Sequence, residues 1–141
     1  MEGLIETLTR GNPTEVKVVL ASVALALGAY QLLLIAVAYG KLRPSFLHGP
    51  PAGKAHRAAG DAIAAVLVVV AIMCVSYFGF EDDAALHVAS GTALLAVLAL
   101  KVGVVRRGGR ASRLLPLLGL SVFALLALTW LTSAGGVLAK A

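Results

Sequence analysis

Four long apolar stretches constrain this chain more than any other feature of its sequence. They span residues 16–40, 57–79, 84–105 and 114–133. A helix of about 20 residues is about 30 Å long, which matches the hydrocarbon thickness of a bilayer. Hydrophobic residues fill 60% of the 141 positions and charged residues only 13%, which leaves little chain for a soluble domain. The sequence therefore predicts an all-α integral membrane protein with four transmembrane helices.

Short connections between neighbouring spans make an up-down four-helix bundle the simplest arrangement. In this interpretation residues 1–15 form an N-terminal segment, residues 16–134 form the bundle, and residues 135–141 form a short tail. Apolar residues along one face of the N-terminal segment predict a short helix at the membrane interface. Its acidic residues are atypical of a secretory signal peptide, so we expect the first span to be retained.

The distribution of basic residues predicts the orientation of the bundle. The second connection carries only the acidic sequence EDD. Cytoplasmic loops are enriched in Lys and Arg, so both termini are expected on the non-cytoplasmic side of a plasma membrane. This placement accounts for the net charge of +5 without a nucleic-acid partner, and we expect none. Four basic residues lie in or beside each of the other two connections: Lys41, Arg43, Lys54 and Arg57, and Arg106, Arg107, Arg110 and Arg113.

Several local signals mark the ends of helices. Asn12 followed by Pro13 predicts the start of the first helix, because an Asn cap and a proline at the first helical position are both favoured there. Gly108 and Gly109 predict a break before the last helix. Pro116 falls in the first turn of that helix, where a missing N–H group costs little.

Two of the three histidines share an H-x-x-x-G pattern, in which His56 precedes Gly60 and His87 precedes Gly91. Residues i and i+4 lie on one face of a helix, so each glycine leaves room beside an imidazole. That room suits a flat macrocycle such as haem b, whose iron takes histidine as an axial ligand. The alternative is that both glycines are contact points between closely packed membrane helices. The pattern makes these four residues candidates for binding haem.

The two histidines are expected near opposite membrane faces, because each begins one of two antiparallel helices. About 20 helical residues separate their depths by about 30 Å, so they cannot share one iron. At the outer face Met73 lies at a depth similar to that of His87 and is the expected second iron ligand. Cys74 and Tyr77 are weaker alternatives. A methionine in an apolar span is also common packing material.

At the inner face His56 marks a candidate second haem site. His48 is close to it in sequence, although loop histidines are usually solvated. Gln31, near the middle of the first span, is expected to donate a hydrogen bond to a neighbouring helix, with a haem propionate as the alternative acceptor.

No catalytic motif competes with this interpretation. The sequence has no H-E-x-x-H, no phosphate-binding glycine motif and no nucleophile beside a base. A single cysteine, Cys74, excludes an intramolecular disulfide. We therefore expect an electron-transfer or accessory subunit rather than a stand-alone enzyme.

Four stretches, HRAAGDAIAAVLVVVAIMCVSYFGF, LHVASG, KVGVVRR and LPLLGLSVFALLALTWLTSAG, carry a family resemblance over about residues 41–135. They resemble a family of four-helix membrane proteins found mainly in actinobacteria, which is itself similar to the core of cytochrome b561 and ferric-reductase-type cytochromes. The resemblance implies b-type haem and electron transfer. It carries these roles onto His56, Arg57, Gly60, His87 and Gly91.

The chain departs from that family at one informative position. Relatives tend to have histidine immediately before the cysteine, where this chain has Met73. Either methionine replaces histidine as the iron ligand, or haem is lost and the chain keeps only the scaffold.

The functional hypothesis is a small b-type cytochrome-like protein with haem near the outer face, between the second and third helices. Its expected partners are the lipid bilayer, a membrane protein or larger complex, and a quinone or other redox partner. The alternative is a cofactor-free accessory subunit that packs its small-residue faces against a larger respiratory or transport complex.

Overall fold

A computed structural model of the chain describes residues 3, 7, 10–41, 50–78, 85–135 and 138–139. Within these residues four helices are long and apolar enough to span a membrane, which supports the predicted all-α, multi-pass membrane protein. A 3-10 helix, Gly109–Leu114, leads into the last of them, and π-helical turns Cys74–Phe78 and Leu131–Gly135 extend the second and the fourth. The helices are α1 (Pro13–Ala38), α2 (Pro50–Met73), α3 (Ala85–Arg107) and α4 (Leu115–Trp130).

The local signals in the sequence mark these helix ends correctly. Asn12 is the N-cap of α1 and Pro13 follows it, although the Asn12 side chain makes no capping hydrogen bond. Gly108 and Gly109 have φ angles of 62° and 73°, a left-handed conformation that favours glycine and ends α3. Pro116 lies in the first turn of α4.

The largest difference from the expected boundaries is at α2, which begins at Pro50 rather than at residue 57. Two successive prolines occupy its first turn. Backbone N–H groups in that turn have no intrahelical acceptor, so their absence in proline costs no helical hydrogen bond. His56 consequently lies inside the helix, almost two turns from its start, rather than at its first residue.

The N-terminal segment is only partly described. Gly3 and Thr7 are helical, and the Thr7 hydroxyl donates to the Gly3 carbonyl at 2.7 Å. The position of this segment at a membrane interface stays a prediction.

The four helices pack unequally. α1 packs closely on α2, and α3 packs closely on α4, while α1 also contacts α4; α2 and α3 meet at few positions. The side of the bundle between α2 and α3 is therefore the least closed. Large apolar side chains such as Leu33, Val69, Leu100 and Leu117 are exposed on the outside of the bundle, as a lipid-facing surface requires. One buried cluster holds the core: Ala24, Ile63, Leu67, Leu94, Val122 and Leu126.

The contact between α1 and α4 depends on a small residue and a polar pair. The Gly28 backbone approaches the aromatic ring of Phe123, and a Cβ at that glycine would lie 3.0 Å from Phe123 Cδ2. Trp130 Nε1 donates to the Ser22 hydroxyl at 3.0 Å. A hydrogen bond between membrane helices stabilises their association, because lipid offers neither group a partner.

We predict that Gly28→Ala destabilises the detergent-solubilised protein by about 1 kcal/mol or more relative to Gly103→Ala, because it overpacks a filled contact. At Gly103 a Cβ would meet nothing within 4 Å. Both substitutions gain the same helix propensity, so a difference between the two melting temperatures reports the contact. Equal melting temperatures would contradict the close approach of α1 to α4.

Candidate functional site

A cavity of about 290 Å³ is lined by residues of all four helices. Its lining includes Lys17 of α1, Cys74 at the end of α2, His87 of α3 and Thr132 at the end of α4. We call it the His87 cavity, and the end of the bundle that holds these four residues the His87 end. The expected location between the second and third helices is thus a cavity, and it lies on the side where α2 and α3 make few contacts.

The His87 imidazole is held by a hydroxyl group across the α3–α4 contact. Its Nδ1 lies 3.3 Å from Thr132 Oγ1. That hydroxyl lies 3.0 Å from each of two carbonyl oxygens, those of Leu128 and Thr129. A hydroxyl has one proton, which the nearer carbonyls take, so the oxygen accepts from His87. We assign the hydrogen of the neutral ring to Nδ1, which leaves the lone pair on Nε2.

This tautomer leaves Nε2 able to bind a metal, one of the two ways in which a histidine ligates. A histidine that binds iron or zinc almost always donates its other ring N–H to an acceptor, which fixes the orientation of the ring. Thr132 supplies such an acceptor to His87.

Two further hydroxyl groups continue the polar contact between α3 and α4. Ser90, which is buried, donates to the His87 carbonyl at 3.1 Å. The Thr129 hydroxyl lies 3.2 Å from the Ser90 hydroxyl and 2.7 Å from the Leu125 carbonyl. We call His87, Ser90, Thr129 and Thr132 the polar seam. It joins α3 to α4 beside the cavity. Within it, the His87 backbone carbonyl meets Ser90 and the His87 ring meets Thr132.

Gly91 lies one helical turn after His87 and lines the same cavity. The nearest atom that a Cβ at Gly91 would meet is Thr129 Cγ2, at 3.9 Å, which is ordinary van der Waals contact. Gly91 is therefore not required for close helix packing among the described residues, and its missing side chain enlarges the cavity instead.

Both π-helical turns lie at the His87 end. Cys74 and Val75 of the first, and Thr132 and Ser133 of the second, line the cavity. A π turn inserts an extra residue into a helical turn and rotates the side chains that follow, and such turns are frequent at functional sites. Their presence on two of the four walls is a second feature, independent of His87, that marks this cavity.

Met73, the expected second ligand, is 6% exposed and is not among the described residues that line the His87 cavity. Its neighbour Cys74 does line it. Consecutive helical residues point about 100° apart, so the two sulfur atoms face different surroundings. The structure does not bring Met73 and His87 together at this cavity, and the role of Met73 stays a prediction. The Tyr77 side chain lies outside the described part of the chain.

The other H-x-x-x-G pattern has a different environment. Gln31 Nε2 donates to the His56 carbonyl at 2.8 Å, as expected of a buried amide between two helices. A Cβ at Gly60 would lie 3.0 Å from the same Gln31 nitrogen. Gly60 therefore gives Gln31 the space to reach α2. Here the packing interpretation of the glycine accounts for the pattern.

His56 itself is half-buried, and its Nδ1 has no hydrogen-bond partner among the described residues. A small cavity of about 40 Å³ lies nearby, with Gln31, Gly60 and Lys101 in its lining. This volume suits a water molecule rather than a macrocycle. His48, the other candidate at this end, lies outside the described residues. The second haem site at His56 stays a prediction.

The chemistry of the His87 cavity fits one haem better than a bare metal ion. No group of three or more His, Cys, Asp or Glu side chains in the described structure could hold a metal ion. A haem brings its own four nitrogen ligands and needs from the protein an axial ligand and an apolar pocket. At about 290 Å³ the cavity is just below the usual range of ligand-pocket volumes, about 300–1,000 Å³. A tetrapyrrole would need more space than these walls enclose.

Sequence reasoning missed three residues of this site, namely Lys17, Thr129 and Thr132. Lys17 stands one turn inside the first span, and a charged residue at that depth is rare enough to be a signal. The two threonines carry no such signal, because a threonine in a membrane helix commonly bonds its own backbone.

We predict that imidazole ¹⁵N spectra at pH 8 show His87 with its proton on Nδ1, and that Thr132→Val removes this preference. The substitution leaves an N–H group without its acceptor and destabilises the protein by about 1–3 kcal/mol. Thr14→Val, at an exposed position of α1, is the matched control. A proton on Nε2 in the unaltered protein would contradict the assigned tautomer.

The chain belongs to a family of unknown function, DUF6529, whose model matches residues 4–141. No curated protein and no solved structure matches the chain. The family match covers all four helices and indicates no chemistry for them.

Proposed function

We propose that this protein is a small b-type cytochrome-like membrane protein that transfers electrons, with one haem in the His87 cavity. One observation carries the proposal. His87 lines a cavity of about 290 Å³ together with Gly91, and its Nδ1 lies 3.3 Å from Thr132 Oγ1, an acceptor that would leave the Nε2 lone pair available to iron. The same pattern of residues predicts an axial ligand beside a space for a macrocycle.

When bound, a haem supplies a one-electron iron couple. The residues of the chain would hold and tune that couple. His87 would donate its Nε2 lone pair to the iron, and the Thr132 oxygen would keep the ring oriented and raise its basicity. Leu67, Leu94 and Leu126 at the cavity wall would exclude water, and a low dielectric of this kind is one of the factors that set a haem potential.

The orientation in the membrane follows from the charges. Arg106, Arg107, Arg110 and Arg113 are all exposed near the turn between α3 and α4, and basic loops face the cytoplasm. With an up-down arrangement, this supports an orientation in which both termini and the His87 end are on the non-cytoplasmic side of the plasma membrane. Haem would then lie close to a quinone or another redox partner that works at that face.

The experiment compares His87→Ala with His56→Ala. We expect His87→Ala to lose haem from the detergent-purified protein, because it removes the axial ligand, and to remain inserted in the membrane. His56→Ala is the matched control, since it removes the same side chain from the equivalent pattern, and it should retain haem. The measurement is the ratio of haem to protein by pyridine haemochrome.

Two results would contradict the proposal. Loss of haem from His56→Ala alone would move the site to the other end of the bundle. A protein that binds no haem in any form would favour the cofactor-free accessory subunit, for which substitutions of the two histidines should not affect assembly with a partner.

The second iron ligand has its own test. The assignment of Met73 predicts that Met73→Leu lowers the midpoint potential and that Cys74→Ser does not, because a thioether ligand raises the potential. Met73→His should then give a bis-histidine spectrum with a lower potential. The reverse pattern, with only Cys74→Ser altering the spectrum, would assign the position to the cavity-lining Cys74 and contradict the assignment of Met73.

A further inference from the structure

Lys101 is a basic residue inside the third membrane span. It lies 14 residues after His87 on α3, which is about 21 Å further along the helix axis. It therefore belongs to the opposite end of the bundle, which we call the Lys101 end. Arg107, the last residue of α3, is six residues further on. An ionisable side chain within a span is costly to place, and it commonly marks the binding site or the path of a ligand.

Lys101 is directed toward the neighbouring helices rather than away from the bundle. It is half-buried and lines the small cavity of about 40 Å³, together with Gln31 of α1, Gly60 of α2 and Gly119 of α4. It also acts electrostatically on His56 of α2. A cavity of this volume holds a water molecule and not a larger group. A larger ligand that meets Lys101 has to approach from the side of the bundle between α2 and α3, where these two helices make few contacts.

The Lys101 end carries most of the basic residues of the chain. Nine of the 12 Lys and Arg residues lie within residues 41–57 and 101–113. Asp61 is the only acidic residue between positions 16 and 80, and none follows position 83. Residues 42–49, which the structure does not describe, contain no Asp or Glu. The excess of positive charge is therefore a property of the complete sequence of these segments and does not depend on which side chains are paired.

The basic residues differ in depth. Those that the structure describes at the Lys101 end are exposed, apart from Lys101. Exposed Lys and Arg at the ends of membrane spans lie at the level of the lipid headgroups and attract anionic lipid. Lys101 lies deeper, where a long side chain places its ammonium just below that level.

Charge and depth together select an amphipathic anion as the ligand. Basic pockets between membrane helices bind the headgroups of anionic lipids. An anionic phospholipid keeps its tails in the hydrocarbon region while its phosphate reaches the gap between α2 and α3. It therefore satisfies both the positive charge and the access from the bilayer.

We propose that the Lys101 end binds an anionic phospholipid, whose phosphate accepts a charge-assisted hydrogen bond from the Lys101 ammonium between α2 and α3. The exposed arginines concentrate anionic lipid at this end, and Lys101 fixes the position of one headgroup. This site is separate from the His87 cavity and goes beyond the proposed electron transfer.

The experiment measures lipid binding to the detergent-purified protein by native mass spectrometry. It compares dioleoylphosphatidylglycerol with dioleoylphosphatidylcholine, which has the same tails and a phosphate that is neutralised by its own choline. We expect the unaltered protein to bind phosphatidylglycerol about tenfold more tightly, because the basic residues attract its net negative charge.

Three variants locate the site. Lys101→Met should weaken phosphatidylglycerol binding about fivefold or more, because one basic group close to the phosphate is lost. Lys101→Arg keeps the charge and should keep the affinity. Lys41→Met is the matched control, since it removes the same charge from an exposed position. It should weaken binding less than about twofold, because an exposed charge is screened by salt.

A second measurement needs no variant, so it tests Lys101 even if Lys101→Met fails to fold. Reductive methylation modifies accessible lysine amines, and mass spectrometry of the peptides gives the rate at each lysine. Phosphatidylglycerol should slow the methylation of Lys101 more than that of Lys41, whereas phosphatidylcholine should slow neither.

Three results would overturn the inference. Equal binding of the two lipids would contradict a preference for anionic lipid. Equal losses in Lys101→Met and Lys41→Met would indicate diffuse attraction to basic loops and no site at Lys101. A methylation rate of Lys101 that phosphatidylglycerol does not change would contradict the hydrogen bond. None of these measurements involves haem, so failure of the haem proposal leaves the lipid site intact, and failure of the lipid site leaves the haem proposal intact.

Discussion

Hydrocarbon offers no hydrogen bonds, and this constraint determines where the polar side chains of the four spans lie. Gln31 meets the His56 carbonyl, Trp130 meets Ser22, and the polar seam of α3 and α4 satisfies its own hydroxyl groups. Each pair joins two helices, so the polar groups select which helices pack together. The His87 imidazole meets this network through Nδ1, 3.3 Å from Thr132 Oγ1, and His87 also lines a cavity.

The two H-x-x-x-G patterns have different structural causes. At Gly60 the Gln31 side chain occupies the space that a larger side chain at this position would need, and α1 packs on α2 there. At Gly91 the corresponding space stays open, because α2 and α3 make few contacts and two π turns rotate the neighbouring side chains. The same five-residue pattern therefore produces a packed contact at one end of the bundle and an open cavity at the other.

Hydropathy predicts the four helices because only a long apolar helix satisfies its backbone within a bilayer, and glycine and proline predict several of their ends. The partner of Gln31 was foreseeable for the same reason. The arrangement of the side chains around His87 was harder to predict from the sequence. A 3.6-residue period places Met73 and His87 at similar depths, but it does not predict the π turn that begins at Cys74. The acceptor role of Thr132 also depends on the packing of two helices that are 45 residues apart at that contact.

The decisive measurement is an absorption spectrum of the unaltered protein, purified in mild detergent from cells with ample haem, in its oxidised and dithionite-reduced forms. If His87 holds a b-type haem, the reduced protein should show sharp haem bands at a stoichiometry of about one haem per chain. A featureless spectrum from folded, inserted protein would contradict haem binding and favour the cofactor-free accessory subunit.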